Sequence, residues 1–246
     1  MARSREQIEA ALQHELQQMF RNVFGERLES LIVYGSFLRE SFDSRSSDVN
    51  LLVILTEAAG QQLRELGADG NRKLRKNRIT PLILSRDEFL GSADVFPMEY
   101  LDIAENHRVI LGPDVTEHLQ ISKANLRHEV EHQLRGNLVS LRQLAVAGSR
   151  KRPFMRGALR REVQQWYGSL IAGLRGVLRL KSDAPVPHDG EALVEEVNRA
   201  FGLEAGPVLS LLRCRSGECP EITTLIDALL DRMTRLVELV DSLDGK

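Results

Sequence analysis

Apolar positions in the first half of the chain alternate between two periods. Ile8, Leu12, Leu16 and Phe20 recur at helical spacing and predict an opening helix. A strand follows at Leu28 to Tyr34, then a polar, turn-rich stretch from Glu40 to Ser47. The run Val49-Asn50-Leu51-Leu52-Val53-Ile54-Leu55 is almost wholly apolar, as expected of a strand covered on both faces. Glu57 to Asn71 has helical composition, closed by Gly70, and a third strand is expected at Arg78 to Ser85. Ser85 and Glu88 then form a capping box that opens a short helix. Asp94 to Tyr100 reads as an aromatic-proline turn, and a last apolar stretch, Arg108 to Leu111, ends at Gly112-Pro113.

Beyond about Asp114 the strand signal disappears. Leu126, Val130, Leu134, Leu138 and Leu141 step by threes and fours, as do Leu159, Val163, Trp166, Leu170, Leu174 and Val177. Ile222, Leu225, Leu229, Met233, Leu236 and Val240 repeat the pattern, and shorter helices fit Glu191 to Phe201 and Pro207 to Arg213. The expectation is an α+β chain: a small mixed-sheet domain over residues 1–118, then an all-α helical bundle over 119–246. The two halves are expected to pack together, with the working site in the cleft between them.

Composition narrows the partners. With 33 basic and 35 acidic residues the formal charge is −2, so bulk charge indicates no nucleic-acid or membrane partner. The first twenty residues carry no signal-peptide pattern, and no window approaches the ~18 apolar residues of a membrane span. Cys214 and Cys219, the only cysteines, are five apart and so could bridge, but are read as free thiols in a reducing, cytoplasmic setting.

The chemistry concentrates at Tyr34-Gly35-Ser36, where an apolar strand stops. Glycine lets a backbone approach a phosphate closely, and a serine hydroxyl with neighbouring amides can bond its oxygens. Asp48 opens the next strand, and Asp48 and Asn50 share one side of it because side chains alternate. Oxygen ligands at that spacing can share a divalent cation that neutralises a triphosphate.

Val33-Tyr34-Gly35-Ser36 with Ser47-Asp48-Val49-Asn50-Leu51-Leu52-Val53 resembles the polymerase-β-type nucleotidyltransferase superfamily, in particular bacterial minimal and aminoglycoside nucleotidyltransferases. The resemblance covers roughly residues 5 to 115. It implies a mixed sheet carrying Gly-Ser, two acids at Asp-x-Asp and a third acid on a later strand, which hold Mg²⁺ and an NTP for transfer of NMP to a hydroxyl. By that resemblance Gly35 and Ser36 hold the nucleotide, Asp48 is the catalytic metal ligand, and Asn50 stands at the second metal position. The chain departs from the pattern twice. Asn50 is a neutral amide, a weaker ligand for a hard cation than carboxylate, and Ile79-Thr80-Pro81-Leu82-Ile83-Leu84 offers no third acid. Asp87 and Glu88 come too late for that strand, and Asp94, Glu99 and Asp102 are the remaining candidates for the third acid. Because phosphoryl transfer rests on positioning and charge neutralisation, these losses should cost most of the rate.

The functional expectation is therefore a nucleotidyltransferase-fold protein that binds NTP and Mg²⁺ with catalysis weak or lost. Two alternatives stand beside it: an active enzyme transferring NMP to a small molecule or protein hydroxyl, and a toxin–antitoxin-like interaction module. The basic run Arg72, Lys73, Arg75, Lys76 and Arg78 is read as a solvated helix end. Arg156 and Arg160, in a denser basic stretch, are candidate contacts for an anionic ligand. His128 and His132 lack a third metal ligand, and Arg127-x4-His132 resembles a short nuclease motif whose pattern arises easily by chance.

Overall fold

The computed structural model describes residues 3–40, 42–44, 47–58, 60–148, 153–182, 184–216 and 221–243. The chain divides into two compact units, Met1–Ile121 and Ser122–Lys246.

The first unit is a four-stranded mixed sheet of order β3-β2-β1-β4. The strands are β1 (Leu28–Tyr34), β2 (Val49–Leu55), β3 (Ile79–Ser85) and β4 (His107–Leu111). β1 runs antiparallel to both β2 and β4, and β2 runs parallel to β3. Pro81 lies on β3, an edge strand, where a missing N–H costs no central ladder bond. Helices cover both faces, which explains the unbroken apolar run of β2. On one face α1 (Arg5–Ala11), a π-helical turn and α2 (Gln17–Phe24) bring Ile8, Leu12, Leu16 and Phe20 against Leu31, Val33, Leu51 and Val53. On the other, Phe89, Tyr100 and Ile103 pack on Ile32, Leu52 and Ile54. These come from α5 (Arg86–Gly91), which carries the Ser85–Glu88 capping box, and α6 (Pro97–Glu105).

Two local expectations change. Gly70 does not end a helix: α3 (Gly60–Glu65) runs through a π-helical turn, Leu66–Gly70, into α4 (Asn71–Lys76). A Cβ on Gly70 would lie 2.8 Å from Leu66 Cδ1 and 3.1 Å from Met19 Sδ, so the glycine serves close packing against α2 and does not act as a stop. The aromatic-proline turn gives way to α6, with Phe96 as its cap and Pro97 in its first turn, where a missing N–H is harmless.

The second unit is all helical: α7 (Lys123–Gly148), α8 (Pro153–Lys181), α9 (Gly190–Phe201), α10 (Gly206–Ser216) and α11 (Ile222–Asp241). Apart from Leu159, whose side chain lies outside the described residues, the apolar stripes read from sequence are its core, with Leu134, Trp166, Leu174, Leu229 and Met233 all buried. Between α7 and α8 the Trp166 indole donates to the Asn137 carbonyl at 3.2 Å, and Gln133 donates to Ser169 Oγ at 2.6 Å. Cys214 is disulfide-bonded, which corrects the expectation that it is a free thiol, and Cys219 lies outside the described residues. Among the described residues no helix is long and apolar enough to cross a membrane.

Candidate functional site

Pairing registers align four residues across one end of the sheet. Thr80 is opposite Asn50, Asn50 is opposite Tyr34, and Tyr34 is opposite His107. Tyr34, Leu82 and Val109 pack on the cluster beneath α5 and α6, so period-two alternation puts Asn50 and Thr80 on that same face. The row ends in apolar strands and begins a polar edge.

Gly35 follows β1 immediately with φ +78°, a left-handed conformation costing a non-glycine residue about 1–2 kcal/mol. This turns the chain into a short 3-10 segment, Gly35–Leu38. Asn106 clamps the turn from both sides: its Nδ2 donates to the Gly35 carbonyl at 2.9 Å, and the Gly35 N–H donates to its carbonyl at 3.1 Å. The Gly35 amide is therefore already committed, and its contribution is the shape of the turn. Asn106 was not legible as a site residue, because nothing in one sequence links positions so far apart. A Cβ on Gly35 would sit 3.2 Å from Asn50 Nδ2, which places the Asn50 amide against the turn. The side chains of Ser36, Asn50 and Thr80 have no hydrogen-bond partner among the described residues. Ser36 and Asn50 are half-buried and Thr80 is exposed, so all three are open to a polar ligand in place of water.

Asp48 has a partner instead of a companion acid. Its Oδ1 lies 3.0 Å from Arg78 Nη2, and Arg78 Nε donates to the Ser47 carbonyl at 3.0 Å. Arg78 therefore leaves the solvated helix end assigned to it and joins the site. Its φ of +54° is the only positive value at a non-glycine among the described residues. The turn is fixed from behind by Asn77, which is wholly buried, accepts from Arg3 at 2.6 Å and donates to the Lys73 carbonyl at 2.8 Å.

The acids left open by the sequence do not complete a metal cage. Glu99 on α6 lies close enough to act on Tyr34, whose phenol is pushed up to about 12 by burial, with Glu99 and Tyr100 adding to it. Among the described residues no group of three or more His, Cys, Asp or Glu is placed to hold a metal ion. One carboxylate already bonded to a guanidinium, one amide and one hydroxyl do not fit a resident Mg²⁺. At the far edge His107 Nε2 lies 2.8 Å from Asp114 Oδ2, and Thr116 donates to Asp114 Oδ1 at 2.6 Å, tying β4 to the following turn.

The remaining candidates lie elsewhere. The side chains of Arg156 and Arg160 fall outside the described residues. Arg127 spans to the end of α11, donating to the carbonyls of Leu243 and, at 3.0 Å, Asp241, and it pairs with Glu131 at 2.7 Å. Cations suit a helix C-terminus, so capping accounts for this arginine. His128 and His132 are exposed.

No protein-family model and no curated protein matches the chain. Among solved structures, spectinomycin adenyltransferase AAD(9) from Enterococcus faecialis, crystallised with ATP and spectinomycin, matches with a TM-score of 0.53 and 14% identity. The match covers 92% of this chain and 99% of that one. In fold, the chain is similar to a nucleotidyltransferase along nearly its whole length.

Proposed function

We propose that the sheet end at Gly35 and Ser36 binds the phosphates of a nucleotide, and that NMP transfer from it is weak or lost. One observation carries the reading. Ser36, Asn50 and Thr80 present unpaired polar side chains there, while Asp48, the acid a transferase would need, is bonded to Arg78. The neutral groups can receive phosphate oxygens through a hydroxyl or amide hydrogen. They cannot replace the carboxylates that hold divalent metal during transfer, and Mg²⁺ accompanying an NTP would meet only the paired Asp48.

A working transferase is the second reading, favoured by the extent of the fold similarity to an enzyme whose structure holds ATP and a small-molecule acceptor. The two are separated by NMP incorporation from each labelled NTP, into small-molecule acceptors and into the protein itself, with Asp48→Ala as control. The proposal expects incorporation no higher than in that control. Robust incorporation that disappears with Asp48→Ala would replace it by the enzyme reading.

A further inference from the structure

Arg78 occupies the position just past α4 where helices commonly place glycine, because a left-handed residue there closes the last turn. Its N–H donates to the Arg75 carbonyl at 3.1 Å and its carbonyl accepts from Val49 N at 2.8 Å, so the backbone is held on both sides. Glycine would make both bonds without strain. The side chain is therefore what an arginine adds, and its contacts include the Ser47 carbonyl and the Asp48 carboxylate. The pair with Asp48 adds little stability: the side chains of Arg78 and Asp48 are 36% and 58% exposed, and ion pairs so open to water contribute little. A left-handed arginine kept beside the strand end for so open a pair points to a role at the site.

We infer that Arg78 is the resident cation of this site, standing where a transferase would keep divalent metal. Its charge, 3.0 Å from the Asp48 carboxylate, repels a metal ion there, and its planar N–H groups suit phosphate oxygens. Phosphate recognition here is then independent of divalent metal. The metal-excluding half stands on the Arg78–Asp48 geometry alone, whereas the phosphate-binding half rests on the nucleotide reading above.

Mn²⁺, titrated by electron paramagnetic resonance, tests the first half without any nucleotide. Asn50→Asp supplies the missing carboxylate, and Arg78→Gly removes the cation while suiting the left-handed backbone, so the variants should fold, as thermal melts would verify. The native protein and Asn50→Asp alone should bind Mn²⁺ weakly, and Asn50→Asp with Arg78→Gly at least tenfold more tightly. Equal tightening by Asn50→Asp alone would overturn the inference, because Arg78 would not be excluding metal. No tightening in the double variant would overturn it too, because positions 48 and 50 would not form a metal seat. Inorganic tripolyphosphate in EDTA tests the second half: the native protein should bind it, and Arg78→Gly at least tenfold more weakly. Equal binding by both would remove Arg78 from phosphate recognition. No binding by the native protein would sink the nucleotide reading while leaving the Mn²⁺ result to judge the metal exclusion.

Discussion

Replacing Gly35 by alanine should damage the site more than the fold. The φ of +78° costs alanine about 1–2 kcal/mol, and its methyl would lie 3.2 Å from Asn50 Nδ2, so the amide must give way. A loss of that size lowers the melting temperature by roughly 2–8 °C. The effect on binding should be larger. If the displaced turn forfeits one hydrogen bond to a charged phosphate, about 1.5–3 kcal/mol disappears, a roughly ten- to hundredfold loss in affinity. Calorimetric titration with ATP, beside thermal melts, reads both quantities. Gly202→Ala is the control: its φ of +62° carries a similar strain, nothing lies within 4 Å, and it caps α9 in the other unit. It should lower the melting temperature comparably and leave ATP affinity unchanged. If Gly35→Ala binds ATP like the native protein, the turn does not receive phosphate and the site assignment fails.

Burial pushes the Asp114 carboxyl up, but hydrogen bonds from Thr116 and His107 outweigh it and hold its pKa below the ordinary value. Its stabilisation is therefore complete above the unfolded carboxylate pKa and is lost as pH falls through the lower folded value. Asp114→Ala should cost about 1–3 kcal/mol near neutrality and flatten the acid limb of the stability curve below about pH 4, measured by denaturant titration at several pH values; an unchanged acid limb would refute this. Arg232 on α11 is buried, its Nη1 has no hydrogen-bond partner among the described residues, and burial lowers its pKa to about 10 against the opposing pull of Glu204. Arg232→Met should be neutral or stabilising by about 1–2 kcal/mol in thermal melts, and a clear destabilisation would mean that the guanidinium is satisfied in solution.

Much of the fold was legible because its signals are local. The apolar run of β2, the Ser85–Glu88 cap and the helical stripes from Leu126 to Val240 each follow from a period or a cap. Local signals mislead where the deciding partner is distant. Gly70 has the character of a helix stop, but Met19 and Leu66 need its space, and Pro97 has the character of a turn, but it sits in a first helical turn. The site divides the same way. The Gly35 turn and the neutral row at Asn50 could be anticipated from spacing and strand alternation. Arg78 and Asn106 could not, since one acts through a backbone conformation and the other through a clamp across the sheet end. A basic run ending at Arg78 gave no hint that its last member faces an acid.

The most direct measurement is a calorimetric titration of the native protein with ATP, first in EDTA and then in excess Mg²⁺. The account predicts binding in both, with affinities within a few fold, because Arg78 and the polar row meet the phosphates while Asp48 is already paired. Binding that appears only with Mg²⁺ would mean that Asp48 leaves Arg78 for metal. Binding in neither condition would mean that this sheet end is not a nucleotide site.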